Sequence, residues 1–490
     1  MPISFNQVPA NSLVPFTYVE LDGSRAVSPT GSFKSLLVGQ RLATGTVDAN
    51  RPVQIDSVAA AEVAFGANSQ IAAMAARFRQ NSPLAEMWCV ALNDVAAGQA
   101  ATSEIQVTSA ATARGEVSLY IAGRRVSVPL AGGESVNATA TAIHAAITAQ
   151  VATLPATASV ATDTVTITHR HKGPLDLDVR FNYANTDIFP AGFAATITDT
   201  AGTGTQPLAD IRAALNAVQE ERFDFIVHDF TDAVSMGGID SLLELRWGPS
   251  TQFGGVGLSS YRGANGTAQE ATTYGNQRNS RFAVTLGHQT SPSPTYEFAA
   301  AVCGAVHQPA ANDPARPFQT LQVHGVLPPE AGEGWNTAAR NTVLADGIAT
   351  YRVGAGGVVR IERLVTNYQE SPAGTADSSF RDVNTPLTLQ YLRTDWRNYF
   401  GGKYSRHKLA DDGTRFADGQ PIMTPSLGKA EAVGRFRLWE SLGLVEDAEA
   451  FKAGLVVVRN ASDRNRLDFL MTPNLVNQLR VTGVQIAFIL

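Results

Sequence analysis

The sequence predicts a multidomain protein of α/β and α+β class with extended arms at both ends. Three observations carry that expectation. The chain has 490 residues, too many for one ordinary core, so about three or four domains are expected. Strands and helices alternate on both sides of a stretch of short strands. The last residues are apolar at period two.

Residues 1–20 contain Pro2, Pro9 and Pro15 among scattered apolar residues, including Ile3, Phe5 and Val8. Proline excludes a helix and interrupts a central strand, so this segment reads as an extended arm. Residues 21–100 read as α/β: a strand over 33–38, a helix over 59–79 with Val63, Ile71, Met74 and Phe78 on one face, and a buried strand over 87–92. Residues 101–205 turn rich in Thr, Ala, Val and Gly. Six short strands are expected there, near 105, 117, 126, 165, 177 and 193, with one Ala-rich helix over 135–151. This reads as a small β-rich domain inserted into the α/β domain. The alternation resumes over 206–371, with Gly354–Gly357 as a hairpin-like turn. Residues 372–479 form an α+β C-terminal region with helices near 387–400, 429–442 and 446–453, a charged loop near 403–418, and strands at 455–458 and 467–470.

Residues 480–490 form the terminal strand. Val484, Ile486, Phe488 and Leu490 fall on one face, and Ile489 adds apolar weight to the other. An apolar strand with open backbone groups must pair or aggregate. It closes a sheet in its own chain, or it adds to a sheet in a neighbouring copy.

Composition narrows the function classes. Charged residues are 17% and hydrophobic residues 44% of the chain, as in globular proteins. A net charge of −6 gives no electrostatic reason to expect nucleic-acid binding. The N-terminus lacks a basic segment followed by an apolar run, and no stretch has the length of a membrane span. A soluble protein without membrane insertion is expected. Cys89 and Cys303 lie in apolar contexts and read as inert core thiols.

Catalytic patterns do not assemble. There is no Gly-x-Ser-x-Gly elbow and no recognisable Ser-His-Asp context. His169 and His171 form a His-x-His pair without a further nearby ligand, so no metal is expected. His307, His324 and His407 read as surface or hydrogen-bonding residues. Gly254–Gly257 and Gly354–Gly357 lack phosphate-loop spacing and read as turns with positive φ, so no cofactor is expected. A basic run, Arg393, Arg397, Lys403, Arg406 and Lys408, is followed by Lys429, Arg435 and Arg437 on a helix. Two readings stay open: a solvated face with intrahelical pairs such as Arg437 and Glu440, or a docking surface for an acidic partner.

Several segments resemble the tail sheath proteins of Mu-like contractile bacteriophages. They are Lys403-Tyr404-Ser405-Arg406-His407-Lys408-Leu409-Ala410-Asp411-Asp412-Gly413-Thr414, the run from Arg459 to Phe469, and Val484-Gln485-Ile486-Ala487-Phe488. Arg246-Trp247-Gly248-Pro249, Gln277-Arg278-Asn279-Ser280, Asp313 to Pro317, Arg360 to Val365, Leu387 to Arg393 and the opening Ile3 to Pro9 fit the same family. The resemblance implies a subtilisin-like α/β domain without proteolytic function, interrupted by an insertion that points outward, and a C-terminal domain against a tail tube. It implies that residues 1–20 and 480–490 are linking arms, with Ile3, Phe5, Val8, Val484, Ile486, Phe488 and Leu490 as their apolar contacts. Lys429, Arg435 and Arg437 become candidates for facing the tube. The implied partners are other copies of the chain in stacked hexameric rings of a helical array, the tail tube, the baseplate and the tail terminator. The implied location is the virion tail, assembled in the host cytoplasm. The implied activity is contraction that drives the tube through the host envelope for genome ejection, without cofactor. A non-contractile virion assembly protein and an α/β hydrolase are the alternatives.

Overall fold

The structure is a computed structural model that describes residues 33–489 apart from 176, 185, 207 and 418. The expectations placed on Ile3, Phe5, Val8 and Leu490 lie outside the described residues.

The first elements are β1 (Lys34–Gln40), β2 (Pro52–Gln54), α1 (Val58–Phe65), α2 (Gln70–Asn81) and β3 (Glu86–Leu92). The single helix expected over 59–79 is two. Gly66 stops α1 with φ +92, where a side chain would be strained and its Cβ would fall 2.6 Å from Thr44 Oγ1. Ser69 then starts α2 by accepting a hydrogen bond from Ala72 N. The break shifts the helical phase. Ile71, Met74 and Phe78 are fully buried, whereas Val63 is 64% exposed.

Next come β4 (Ala100–Ser109), β5 (Gly115–Ile121), β6 (Arg124–Leu130), α3 (Val136–Ala149), β7 (Ala156–Ala161), β8 (Thr164–Lys172), β9 (Val179–Phe181) and β10 (Ala194–Thr200). They make a four-stranded sheet, β10-β4-β8-β7, and a three-stranded sheet, β6-β5-β9. Ile105, Val117, Val126, Ile143, Ile147 and Ile167 close a core of their own. Alternation of Val and Ile with Thr and Ser produces these half-buried strands. β7 was not expected, because its sequence Ala-Thr-Ala-Ser-Val-Ala carries little apolar weight.

The chain continues through α4 (Leu208–Asn216), β11 (Phe225–Val227), α5 (Ala233–Trp247), β12 (Val256–Tyr261), α6 (Ala268–Gly275), β13 (Ala283–Gly287), α7 (Thr295–Asn312), α8 (Thr337–Ala345), β14 (Ile348–Val353) and β15 (Val359–Arg363). One eight-stranded sheet collects these strands with the first three, in the order β15-β14-β13-β12-β11-β1-β3-β2. β2 and β15 pair antiparallel at the two edges, and the six strands between them are parallel. Both faces are covered, so the central strands carry continuous apolar runs, Leu36–Val38 in β1, Met87–Leu92 in β3 and Phe225–Val227 in β11. Leu37, Cys89 and Val227 face a core with α2 and α7. Their neighbours Leu36, Val90 and Ile226 face a second core with Ile211 of α4 and Leu243 of α5. Thirteen of the 18 residues of α7 are buried, which makes it a core helix rather than an amphipathic surface one. Gly304 permits this: a Cβ there would lie 2.6 Å from Phe78 O, so only glycine lets α7 approach α2 this closely. The glycine turns appear as expected, with positive φ at Gly254, Gly255, Gly356 and Gly357. Sequence reading missed β12, which follows immediately.

The last elements are α9 (Asn384–Tyr404), β16 (Lys408–Leu409), β17 (Ile422–Met423), α10 (Pro425–Ser441), β18 (Val445–Glu446), α11 (Ala448–Gly454), β19 (Val456–Arg459), β20 (Leu467–Leu470) and β21 (Asn474–Leu475). Leu392, Ala432, Phe436, Trp439 and Phe451 centre a fourth core. The strands form three separate two-stranded sheets, β16-β17, β18-β21 and β19-β20. No described residue after Leu475 belongs to a strand. Among the described residues, no strand lies alongside the terminal segment read as a strand from period-two alternation. Among the described residues no helix is long and apolar enough to cross a membrane.

Candidate functional site

The titratable groups that suggested chemistry are built into the core. His307 Nδ1 lies 2.8 Å from Ser35 Oγ, a Ser–His pair that sequence reading did not foresee. Ser35 is fully buried on β1, and the edges of Phe33 and Phe78 pack on the imidazole. Burial pushes the His307 pKa down to about 4, with Arg79 adding to the effect. A neutral imidazole joined to an inaccessible hydroxyl satisfies polar atoms in a core. His171 pairs with Asp94 through Nδ1, and its Nε2 accepts a hydrogen bond from Gln70 N at 2.9 Å. Burial holds His169 near pKa 4. The two thiols are free and buried, and burial pushes Cys303 up to about 12. Among the described residues no group of three or more His, Cys, Asp or Glu side chains could hold a metal ion.

The C-terminal region presents an assembly surface instead. β19 and β20 form an antiparallel hairpin with Val456 opposite Leu470 and Val458 opposite Asp468. Its turn is made by the Arg459-to-Phe469 segment singled out in the sequence. Asn460 Oδ1 accepts from Ser462 N at 2.8 Å and Asp463 N at 2.9 Å, and Asn460 N donates to Arg466 O. Such a side-chain-capped turn fixes the register of the two short strands. Phe469 anchors the inner face against Trp396 at 5.3 Å and Phe400 at 5.1 Å. The outer face carries Val456, Val458 and Leu470, all exposed. Each strand pairs only with the other among the described residues, so both outer edges are open.

The terminal segment is fixed at its root and free beyond it. Gln478 Nε2 donates to Ala315 O, and Gln319 Nε2 donates to Leu479 O. Arg480 Nη2 lies 3.0 Å from Asp382 Oδ1 and 3.1 Å from Asn384 Oδ1. Asp382 is also gripped through both oxygens by Arg363 of β15, the edge of the eight-stranded sheet. The arm is thus rooted in the α/β body. Past Arg480 the side chains stand in solvent: Val484 is 76%, Ile486 84% and Phe488 79% exposed.

The three candidate basic residues separate. Arg435 binds Asp395 with two hydrogen bonds and lies 4.6 Å over the Tyr399 ring. The hydrogen bonds to Asp395 raise its pKa, and the guanidinium is committed to the fold. Lys429 is half-buried and Arg437 exposed, and among the described residues neither makes an ion pair. Glu440 does not pair with Arg437; it accepts from Ala448 N at the start of α11. Sequence reading missed the Arg480 root and the open hairpin. An arginine directly before an apolar terminal run was the available signal for the first.

The family model for the phage tail sheath protein central domain matches residues 207–367, and that for the phage tail sheath C-terminal domain matches residues 375–489. The chain belongs to the phage tail sheath protein family, whose members are structural proteins of the bacteriophage tail and not enzymes. It is 38% identical over 494 aligned residues, covering 100% of both chains, to the Mu-like prophage FluMu tail sheath protein of Haemophilus influenzae. Among solved structures it is similar to a sheath tail protein of Desulfitobacterium hafniense, with TM-score 0.48 and 12% identity, over 94% of this chain and 100% of that one. It is also similar to a chain of the anti-feeding prophage baseplate, with TM-score 0.49 and 9% identity, over 98% of this chain and 100% of that one.

Proposed function

We propose that this chain is the polymerising subunit of a contractile tail sheath. Residues 21–100 and 206–371 serve as a subtilisin-like sheath domain. Residues 101–205 are its outward-facing insertion, and residues 372–479 face the tail tube. Residues 1–20 and 480–490 link neighbouring copies in stacked hexameric rings assembled in the host cytoplasm. The observation that carries this reading is one pairing of needs within one chain: an exposed apolar segment and a two-stranded sheet, neither of which has a further strand partner among the described residues. Strand addition between copies satisfies both. Main-chain hydrogen bonds keep the link while whole domains rotate, so contraction proceeds as rigid-body motion about the arms. The work comes from lateral contacts formed on compaction, a few kcal/mol per subunit summed over many copies. Tube, baseplate and tail terminator are the other partners, and the output is the tube driven through the host envelope for genome ejection.

Negative-stain electron microscopy of the purified chain tests this reading. Tubular polymers with six-fold cross-sections are expected. Closed shells or discrete rings would point to a non-contractile assembly protein.

The tube-facing charge is carried by Lys429 and Arg437, because Arg435 is held by Asp395. The double variant Lys429→Glu/Arg437→Glu is expected to weaken co-sedimentation of polymer with an acidic tube at low salt. The difference should shrink as salt is raised toward 0.15 M, where the screening length is about 8 Å. An unchanged salt dependence would remove these two residues from the interface.

A further inference from the structure

The residue 100–200 region ends in two sheet edges of an unusual kind. β7 and β10 are the outer strands of its four-stranded sheet. Edge strands are ordinarily blunted by charge, proline, shortness or a cover, because open N–H and C=O groups invite another strand. The other sheets of three or more strands follow that rule. β2 has three residues and starts at Pro52, and β9 also has three. β6 carries Arg124, Arg125 and Pro129. β15 carries Arg360, Glu362 and Arg363, and it is covered by the 320–323 segment, where Thr320 N donates to Ile361 O and Val323 N to Val359 O. β7 has six residues without charge or proline, and β10 has seven with one charge, Asp199, near its end. Among the described residues no backbone group from outside their sheet bonds to either strand.

The core reaches these two edges unfinished. Ala158 and Val160 of β7 and Ala195 and Ile197 of β10 pack on it, yet all four stay half-buried. Thr157, Ser159, Thr196 and Thr198 alternate with them and are exposed. Strand direction makes the two edges complementary. β10 runs antiparallel to β4, β4 to β8 and β8 to β7, so β7 and β10 point opposite ways. A second copy displaced sideways, without being turned over, therefore brings its β10 antiparallel to β7 with both core faces on one side.

We propose that β7 of one copy pairs with β10 of a neighbouring copy, Val160 opposite Ala195, Ser159 opposite Thr196, Ala158 opposite Ile197 and Thr157 opposite Thr198. This rests on the reading that copies of the chain assemble, and it adds a link separate from the terminal arms. The register puts apolar residues beside apolar ones on the core face and hydroxyls beside hydroxyls on the other. Four residue pairs make a weak contact alone. The link forms once the arms hold copies together, where the effective concentration is high. The contact is head-to-tail, so it repeats around a closed ring or along an open helix.

Disulfide trapping in polymers of the full chain tests this. Facing residues of an antiparallel pair have Cα atoms about 4.5–5.5 Å apart, within disulfide reach. In one copy three strand spacings, about 14 Å, separate the two edges, so an internal bridge is out of reach. The native thiols, Cys89 and Cys303, are buried and add no background. Oxidised Ser159→Cys/Thr196→Cys polymers are expected to give a ladder of covalent multimers on a non-reducing gel, and each single-cysteine chain none. A ladder ending at six marks a ring and a longer one a helix; both support the link. Adding Thr157→Glu and Thr198→Glu should lower the ladder yield several-fold against Thr157→Glu with Thr198→Lys, because like charges placed opposite each other repel. Equal yields overturn the register. Dimers from Ser159→Cys alone mean that two β7 edges meet, which overturns the head-to-tail assignment. Polymers seen by negative stain without a ladder overturn the edge link and leave the sheath reading standing. Absence of polymers from the wild-type chain overturns the sheath reading and the link with it.

Discussion

A chain ending at Gly483 is expected to fold normally and fail to polymerise. Among the described residues the monomer loses no strand pairing and no buried side chain. Residues 484–489 belong to no strand, and Val484, Ile486, Phe488 and Ile489 are exposed. Removing unpaired surface residues changes stability by no more than about 0.5 kcal/mol, so the unfolding transition of the monomer should not move. Assembly loses much more. A strand of this length contributes several main-chain hydrogen bonds at about 1 kcal/mol each. Burying one large apolar side chain contributes about 1.5–3 kcal/mol. Ordering the arm offsets part of that sum. A net loss of about 4 kcal/mol per link would already weaken each contact roughly 1,000-fold, and every link in a polymer repeats it. Sedimentation velocity and negative stain of the truncated chain are the measurements. Normal polymers would show that the arm is not a link. A truncated chain that cannot fold would show that the segment belongs to its own core.

The α/β framework was legible because strands buried on both faces carry continuous apolar runs, as Leu36–Val38 of β1, Met87–Leu92 of β3 and Phe225–Val227 of β11 do. What sequence reading lost came from glycine and from distance along the chain. Gly66 turned one expected helix into two and moved Val63 to the surface. Gly254 and Gly255 were read correctly as a turn, but they masked the strand that follows. Arg435 looked like a free cation because its partner Asp395 is 40 residues away. The Arg480–Asp382 root spans 98 residues, beyond the reach of any local pattern. The candidate site divides in the same way. Period-two alternation marked the terminal segment as a strand in waiting. Its pairing state was not legible, because a lone strand and a paired one have the same alternation. The open hairpin edges were invisible for a similar reason: an edge is a fact about neighbours, not about sequence.

The second large effect is expected at Glu297, in the first turn of α7. Its carboxylate is fully buried and bridges Arg77 Nε of α2 and Arg124 Nη2 of β6, each at 2.7 Å. One side chain thus ties the residue 100–200 region to the α/β core. Burial alone would raise its pKa; the charges of Arg124 and Arg77 outweigh burial and hold the carboxyl below its ordinary value of 4.5. Glu297→Gln leaves two guanidinium groups facing a neutral amide, and breaking a buried ion pair in this way costs about 3–5 kcal/mol. The pH dependence has a definite sign. A carboxyl with a folded-state pKa below its unfolded value adds stability that is fully present above about pH 4.5 and is lost as pH falls through the folded pKa. The gap in denaturant midpoint between wild type and Glu297→Gln should therefore be widest near pH 7 and close under acid conditions. Hydrogen exchange should rise first in β5 and β6, the strands that Arg124 docks. If the two proteins lose stability in parallel as pH falls, the ionised bridge is not what holds that region in place. His307 of the same helix, buried and held neutral, would then still tie α7 to β1 through Ser35.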